Sequence, residues 1–172
     1  MTTISQASTY NVEATLNNHF RTQLAAVTRP SWLATMPAIT SSNPEAAANL
    51  PAFSLYHLPV GVYDKWQGRA VGEDKQGAEA VAIMEINAWV SRRDADWQAK
   101  LRTMRDMVET VYINASNASV IIKDYAANRA SPSDTSYLIR LDKMAAVQTA
   151  PDPNPDIERV RVLITYSWIY RS

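Results

Sequence analysis

The residues able to do chemistry are few and scattered. Cysteine is absent from the 172 residues, which excludes disulfides, thiolate metal sites, iron–sulfur clusters and cysteine nucleophiles. His19 and His57 are the only imidazoles. His19 sits beside Phe20 in a helix-periodic stretch and His57 in an alternating one, so each reads as a structural side chain rather than a ligand or base. The sequence contains no HExxH pattern, no histidine pair at i,i+4 and no GxSxG elbow. The glycines at 61, 68, 72 and 77 are spaced too widely to cradle a phosphate.

Asp152-Pro153-Asn154-Pro155-Asp156 puts side-chain oxygens at alternate positions, as a calcium loop begins. Its sixth position is Ile157 where glycine is needed, and its twelfth is Leu163 where a bidentate glutamate belongs. The segment therefore reads as a rigid, solvated loop. Glu85, between Met84 and Ile86, is the most suggestive carboxylate. In such partly apolar surroundings it should seek a partner such as Arg140 or Arg161, and a strand ion pair is favoured over a general base. An enzyme acting through Glu85, His57 or Asp124 is the reading from another functional class. No cofactor and no metal is expected.

The elements that must position these residues follow from periodicity. Val12, Leu16, Phe20, Leu24 and Val27 recur at helical spacing, which predicts a helix over 11–27 that stops before Pro30. Residues 1–9 read as a flexible lead. From 28 to 51, four prolines punctuate a long loop in which Trp32, Leu33, Met36 and Ile39 can pack down. Residues 53–62 alternate as a strand, with Pro59 arguing for an edge or bulge. Residues 61–78 hold all four glycines and read as the tip of a long hairpin. In the strand 79–90, Ala80, Ala82, Met84, Ile86, Ala88 and Val90 share one face, whose small residues let a helix come close. Ser91 to Asp94 resembles a capping box, and Trp97, Leu101, Met104, Val108 and Val111 predict a second helix over 94–112. The tandem Asn-Ala-Ser at 114–119 should end it. Strands over 120–125, 135–144 and 157–170 close the chain. The expected architecture is a single α+β domain over 1–172: an antiparallel sheet of about five strands with two helices on one face.

Composition narrows the function further. The chain is 47% hydrophobic and 20% charged, with 17 basic and 17 acidic residues. Zero formal net charge gives no whole-chain reason to bind nucleic acid or an anionic membrane. The opening residues lack the blocks of a signal peptide, and no run approaches the length of a membrane span, so the expected location is the cytoplasm of the producing cell. Five Trp and eight Tyr, with Tyr166, Trp168 and Tyr170 on one strand face, exceed what a small core needs and suggest a protein interface. An interaction module is favoured over an enzyme.

Glu85-Ile86-Asn87-Ala88-Trp89-Val90-Ser91, running into Trp97, Leu101, Met104 and Val108, and the ending Arg161-Val162-Leu163-Ile164-Thr165-Tyr166-Ser167-Trp168, together with the element order, resemble the tail terminator proteins of long-tailed bacteriophages. The resemblance covers about residues 10–172 and is one of layout with degenerate motifs. It implies a virion structural protein, assembled in the host cytoplasm, that forms a homo-oligomeric (hexameric) ring on the end of the tail tube. Such a ring stops tube polymerisation and docks the head–tail connector or stopper protein. DNA only passes through the lumen, and no membrane is involved. A neck or head-completion protein at the same junction is the alternative. On this reading Tyr63, Lys65, Trp66 and Arg69 in the hairpin tip and Trp32 in the long loop are interface candidates. Glu85 joins them, and Lys100, Arg102 and Arg105 on the polar face of the second helix could line the lumen.

Overall fold

The computed structural model describes residues 5–33, 36–44, 50–58, 66–70, 77–147 and 154–171. Helix α1 spans Thr9–Ala26. Ser8 caps it by accepting a hydrogen bond from the Asn11 N–H at 3.3 Å, which satisfies one of the first-turn donors. Val12, Leu16, Phe20 and Leu24 recur at i,i+4 and are all fully buried. Within the stretch read as a flexible lead, Ala7 is fully buried, and the Trp168 indole donates to its carbonyl at 2.9 Å.

Helix α2 spans Trp97–Ala118, so it starts and ends later than expected. Ser91 belongs to the preceding strand, and its hydroxyl accepts from the Arg93 N–H at 3.2 Å rather than capping the helix. The Asn-Ala-Ser repeat does not stop α2 because its polar residues fall on the outer face while Val111 and Ala115 stay buried. The helix ends where Ser119 takes φ 58°, ψ 166°.

The strands are β1 (Ala38–Thr40), β2 (Ala52–His57), β3 (Trp66–Ala70), β4 (Gly77–Ser91), β5 (Val120–Lys123), β6 (Asp134–Val147) and β7 (Ile157–Arg171). They form one sheet in the order β1-β2-β4-β7-β6-β5, with β3 also paired to β4. The α+β class holds, but the sheet is mixed and larger than five antiparallel strands. One addition, β1, pairs parallel with β2. It falls inside the proline-punctuated stretch read as loop, where three residues are too few for alternation to show. The Ala38 N–H donates to the Pro51 carbonyl at 3.2 Å and the Thr40 hydroxyl to the Phe53 carbonyl at 3.2 Å. The other addition, β3, lies in the glycine-rich excursion. The Leu50–Pro51 peptide bond is cis.

Both helices contribute to one core with the even-numbered residues of β4 and β7. Helix α2 packs on β4, β6 and β7, and α1 packs on β5, β2 and α2. Tyr166 and Trp168, expected at an interface, lie in this core at 0% and 2% exposure. Their rings stack at 5.8 Å. These two aromatics fill the core beneath the helices rather than an outer face.

Candidate functional site

The face of the sheet away from the helices carries a buried polar cluster. It exists because three strands bring odd and even positions into register. Tyr56 on β2 lies opposite Glu85 on β4, and Asn87 on β4 lies opposite Arg161 on β7. Glu85, flanked by the core residues Met84 and Ile86, must point to the other face. There it is 2% exposed. Its Oε1 accepts from the Tyr56 hydroxyl and from Asn87 Nδ2 at 2.9 Å. Its Oε2 accepts from Arg161 Nε at 2.7 Å and from the second guanidinium nitrogen at 2.6 Å. Asn87 Nδ2 also reaches the Tyr56 oxygen at 3.3 Å. Beside this group the Trp89 indole donates to Ser54 Oγ at 2.9 Å, and Ser54 Oγ donates to Asn43 Oδ1 at 3.1 Å. The Arg159 guanidinium covers the Trp89 ring at 5.0 Å.

The electrostatics set each proton. Burial pushes the Glu85 carboxyl upward, but hydrogen bonds from Tyr56, Arg161 and Asn87 and the Arg161 charge outweigh it. Its pKa lies below the ordinary glutamate value. Burial first, and then donation to Glu85, raise the Tyr56 phenol. At neutral pH the cluster is thus an ionised carboxylate held by a protonated phenol, an amide and a guanidinium. A carboxylate whose both oxygens are engaged and whose proton affinity is lowered makes a weak base. The arrangement ties β2, β4 and β7 together.

The remaining sequence candidates fall elsewhere. Of the two proposed partners for Glu85, Arg161 is the one used; Arg140 lies 4.0 Å from Asp142. His57 faces the core, its Nδ1 2.9 Å from the Tyr166 hydroxyl, and the rings meet edge to face. Burial raises the Tyr166 phenol far above its ordinary range, so this hydroxyl stays protonated. His19 packs edge-on against Phe20, and burial lowers its pKa. Asp124 accepts from Asn11 Nδ2 and from the Ala127 N–H, both at 3.1 Å, and so closes a turn.

On α2, Lys100 pairs with Asp94 at 2.9 Å and Asp96 at 3.1 Å, Arg105 pairs with Asp106 at 2.9 Å, and Arg102 is exposed. Those carboxylates neutralise much of the basic stripe. Trp32 is 46% exposed. Trp66 and Arg69 fall on β3, and Tyr63 and Lys65 lie outside the described residues. Of the calcium-like run, Asp152 is also outside them; Asp156 pairs with Arg93, and the Asn154 side-chain oxygen accepts the Asp156 N–H at 3.0 Å. Among the described residues no group of acidic or histidine side chains is arranged to hold a metal ion, and no helix is long and apolar enough to cross a membrane.

Sequence reasoning named Glu85 and Arg161 but missed Tyr56, Asn87 and Ser54. The available signal was two polar residues, Glu85 and Asn87, at i,i+2 in an otherwise apolar strand, which fixes a polar row on one face.

No protein-family model matches the chain, and no curated protein matches it. One solved chain, from a virion of a native gene transfer agent particle, is similar at a TM-score of 0.47 and 14% identity, covering 95% of this chain and 100% of that one.

Proposed function

We propose that this chain is a structural protein of a phage-type virion and acts as a tail terminator. It forms a ring on the end of the tail tube, stops tube growth and presents a docking surface to the head–tail connector or stopper protein. One observation carries the reading. The two segments that resemble tail terminators, 85–91 leading into α2 and 161–168, are far apart in sequence yet lie side by side as β4 and β7. They are paired from Gly77↔Arg171 to Ser91↔Ile157 and are joined through Glu85 and Arg161. The likeness thus concerns one structural unit, the centre of the sheet with the helix packed on it.

The chemistry supports the same reading. Glu85, His57 and Asp124, the side chains an enzyme would have used, are each engaged in hydrogen bonds that hold strands or a turn. Ring closure requires a heterologous contact whose rotation per subunit closes. Zero net charge suits a ring stacked between two others.

Electron microscopy of particles assembled with and without the protein tests the reading. Overlong, headless tubes in its absence are expected. Tails of normal length that fail to join heads would move the protein to the neck or to head completion. Normal particles would refute the virion role.

A further inference from the structure

Arg159 on β7 is a cation held in place without a carboxylate. It lies opposite Trp89 on β4, and its guanidinium covers the indole at 5.0 Å. Arg92, Arg93, Arg105 and Arg161 each pair with a carboxylate; among the described residues Arg159 pairs with none. Glu158, its neighbour in the chain, points to the opposite side of the strand and is bound to Arg92. Arg159 Nε is buried with no hydrogen-bond partner. The two terminal nitrogens are neither buried nor bonded among the described residues, so they are the atoms that meet the surface.

The guanidinium is also fixed. Trp89 is 2% exposed. Its indole N–H donates to Ser54 Oγ at 2.9 Å, and that hydroxyl donates in turn to Asn43 Oδ1 at 3.1 Å. The ring is therefore a rigid shelf, and an arginine stacked on it loses less freedom on binding than one free in water. The planar fork of terminal N–H groups matches the two oxygens of a carboxylate. With the inner Nε shut off by protein, a ligand must meet the outer edge of the fork.

The surrounding charges select among anions. Arg161, two residues further along the same face, has its charge met by Glu85, which leaves Arg159 as the unneutralised cation of the pair. A nucleic-acid backbone draws its affinity from several phosphates neutralised together, and the chain as a whole has zero formal charge. One fork beside a neutralised neighbour suits one carboxylate. On a sheet face a lone fork gives a free small acid little else to hold, whereas a protein side chain arrives with the rest of its surface. We propose that Arg159, shelved on Trp89, binds the carboxylate of an aspartate or glutamate side chain on another protein. The inference concerns this one side chain and stands apart from the terminator reading.

Nuclear magnetic resonance on the isotope-labelled full chain tests the assignment. The Arg159 Nε and Trp89 indole signals are followed while a blocked Gly-Glu-Gly peptide is added at constant ionic strength. Both signals are expected to shift saturably. The matching Gly-Gln-Gly peptide should bind about tenfold more weakly or worse, because the charge-assisted hydrogen bonds are lost; that comparison needs no variant of the protein. Arg159→Gln should weaken the glutamate peptide to a similar degree. Arg159→Lys, which keeps the charge but not the fork, should fall between. The absence of a saturable shift with the glutamate peptide overturns the proposal, as does a Trp89 shift that Arg159→Gln leaves unchanged. Inorganic phosphate that binds as tightly as the glutamate peptide overturns it too, by making this a phosphate site.

Discussion

Replacing Glu85 by glutamine isolates the charge at the centre of the sheet while keeping its volume. The wild-type carboxylate accepts hydrogen bonds from Tyr56, Asn87 and both Arg161 nitrogens. Glutamine offers one acceptor oxygen and one NH₂, so at least one set of donors must face another donor. Hydrogen bonds to a charged group contribute about 1.5–3 kcal/mol each, and breaking a buried ion pair costs about 3–5 kcal/mol. The Arg161 side chain is 34% exposed and can recover water, which places the net loss at the lower end, about 2–3 kcal/mol at pH 7.

Urea denaturation reads this directly. At a slope of roughly 2 kcal/mol/M, the midpoint should fall by about 1–1.5 M with the slope unchanged. The pH dependence adds a second signature. The folded pKa of Glu85 lies below its unfolded value, so its contribution is complete above the unfolded pKa, near 4.3, and is lost as pH falls through the folded pKa. The gap between wild type and Glu85→Gln should therefore narrow on acidification below about pH 4.5. A loss under about 0.5 kcal/mol at pH 7, the scatter of ordinary surface substitutions, would refute the view of Glu85 as a strand tie. So would a gap that does not change with pH.

Ser119→Gly should stabilise the protein by about 1 kcal/mol, because a non-glycine residue at φ 58° carries a conformational cost that glycine avoids. Thermal unfolding would show it as a rise of roughly 2–4 °C in Tm. Phe20→Ala, at a fully buried position of α1, should cost about 3–5 kcal/mol. Chemical denaturation measures that loss, and a cost below 1 kcal/mol would mean that α1 is not seated on the core as described.

Long periodic segments were readable before any coordinates. The face Ala80 to Val90 and the α1 stripe Val12 to Leu24 needed only a period of two or of 3.6. Short elements were not: β1 has three residues and β3 sits among glycines and charges, so both owe their state to the strand beside them. Trp168 counts in sequence among aromatics in excess of a small core's need and so points to an interface, yet its indole N–H finds an acceptor inside the fold, the Ala7 carbonyl, which is 161 positions away and which no local pattern announces. The Glu85 site was half legible for the same reason. Its acid and its arginine are guessable from composition, but Tyr56 joins them only through the β2–β4 register, which no local pattern specifies.

The position of β7 in the sheet has a bearing on synthesis. It pairs with β4 along fifteen positions and with β6 on its other side, yet it follows both in the chain. As the polypeptide leaves the ribosome, β4 must wait with an open edge through α2, β5 and β6 before its main partner arrives. The central hydrogen-bond ladder then closes at once, over large sequence separations that make for slow folding. During that wait the chain exposes an apolar, β-prone strand, the kind of intermediate that chaperones shield. Lowering the temperature of expression, or slowing synthesis while chaperones are abundant, should raise the soluble yield more than any change to the finished surface.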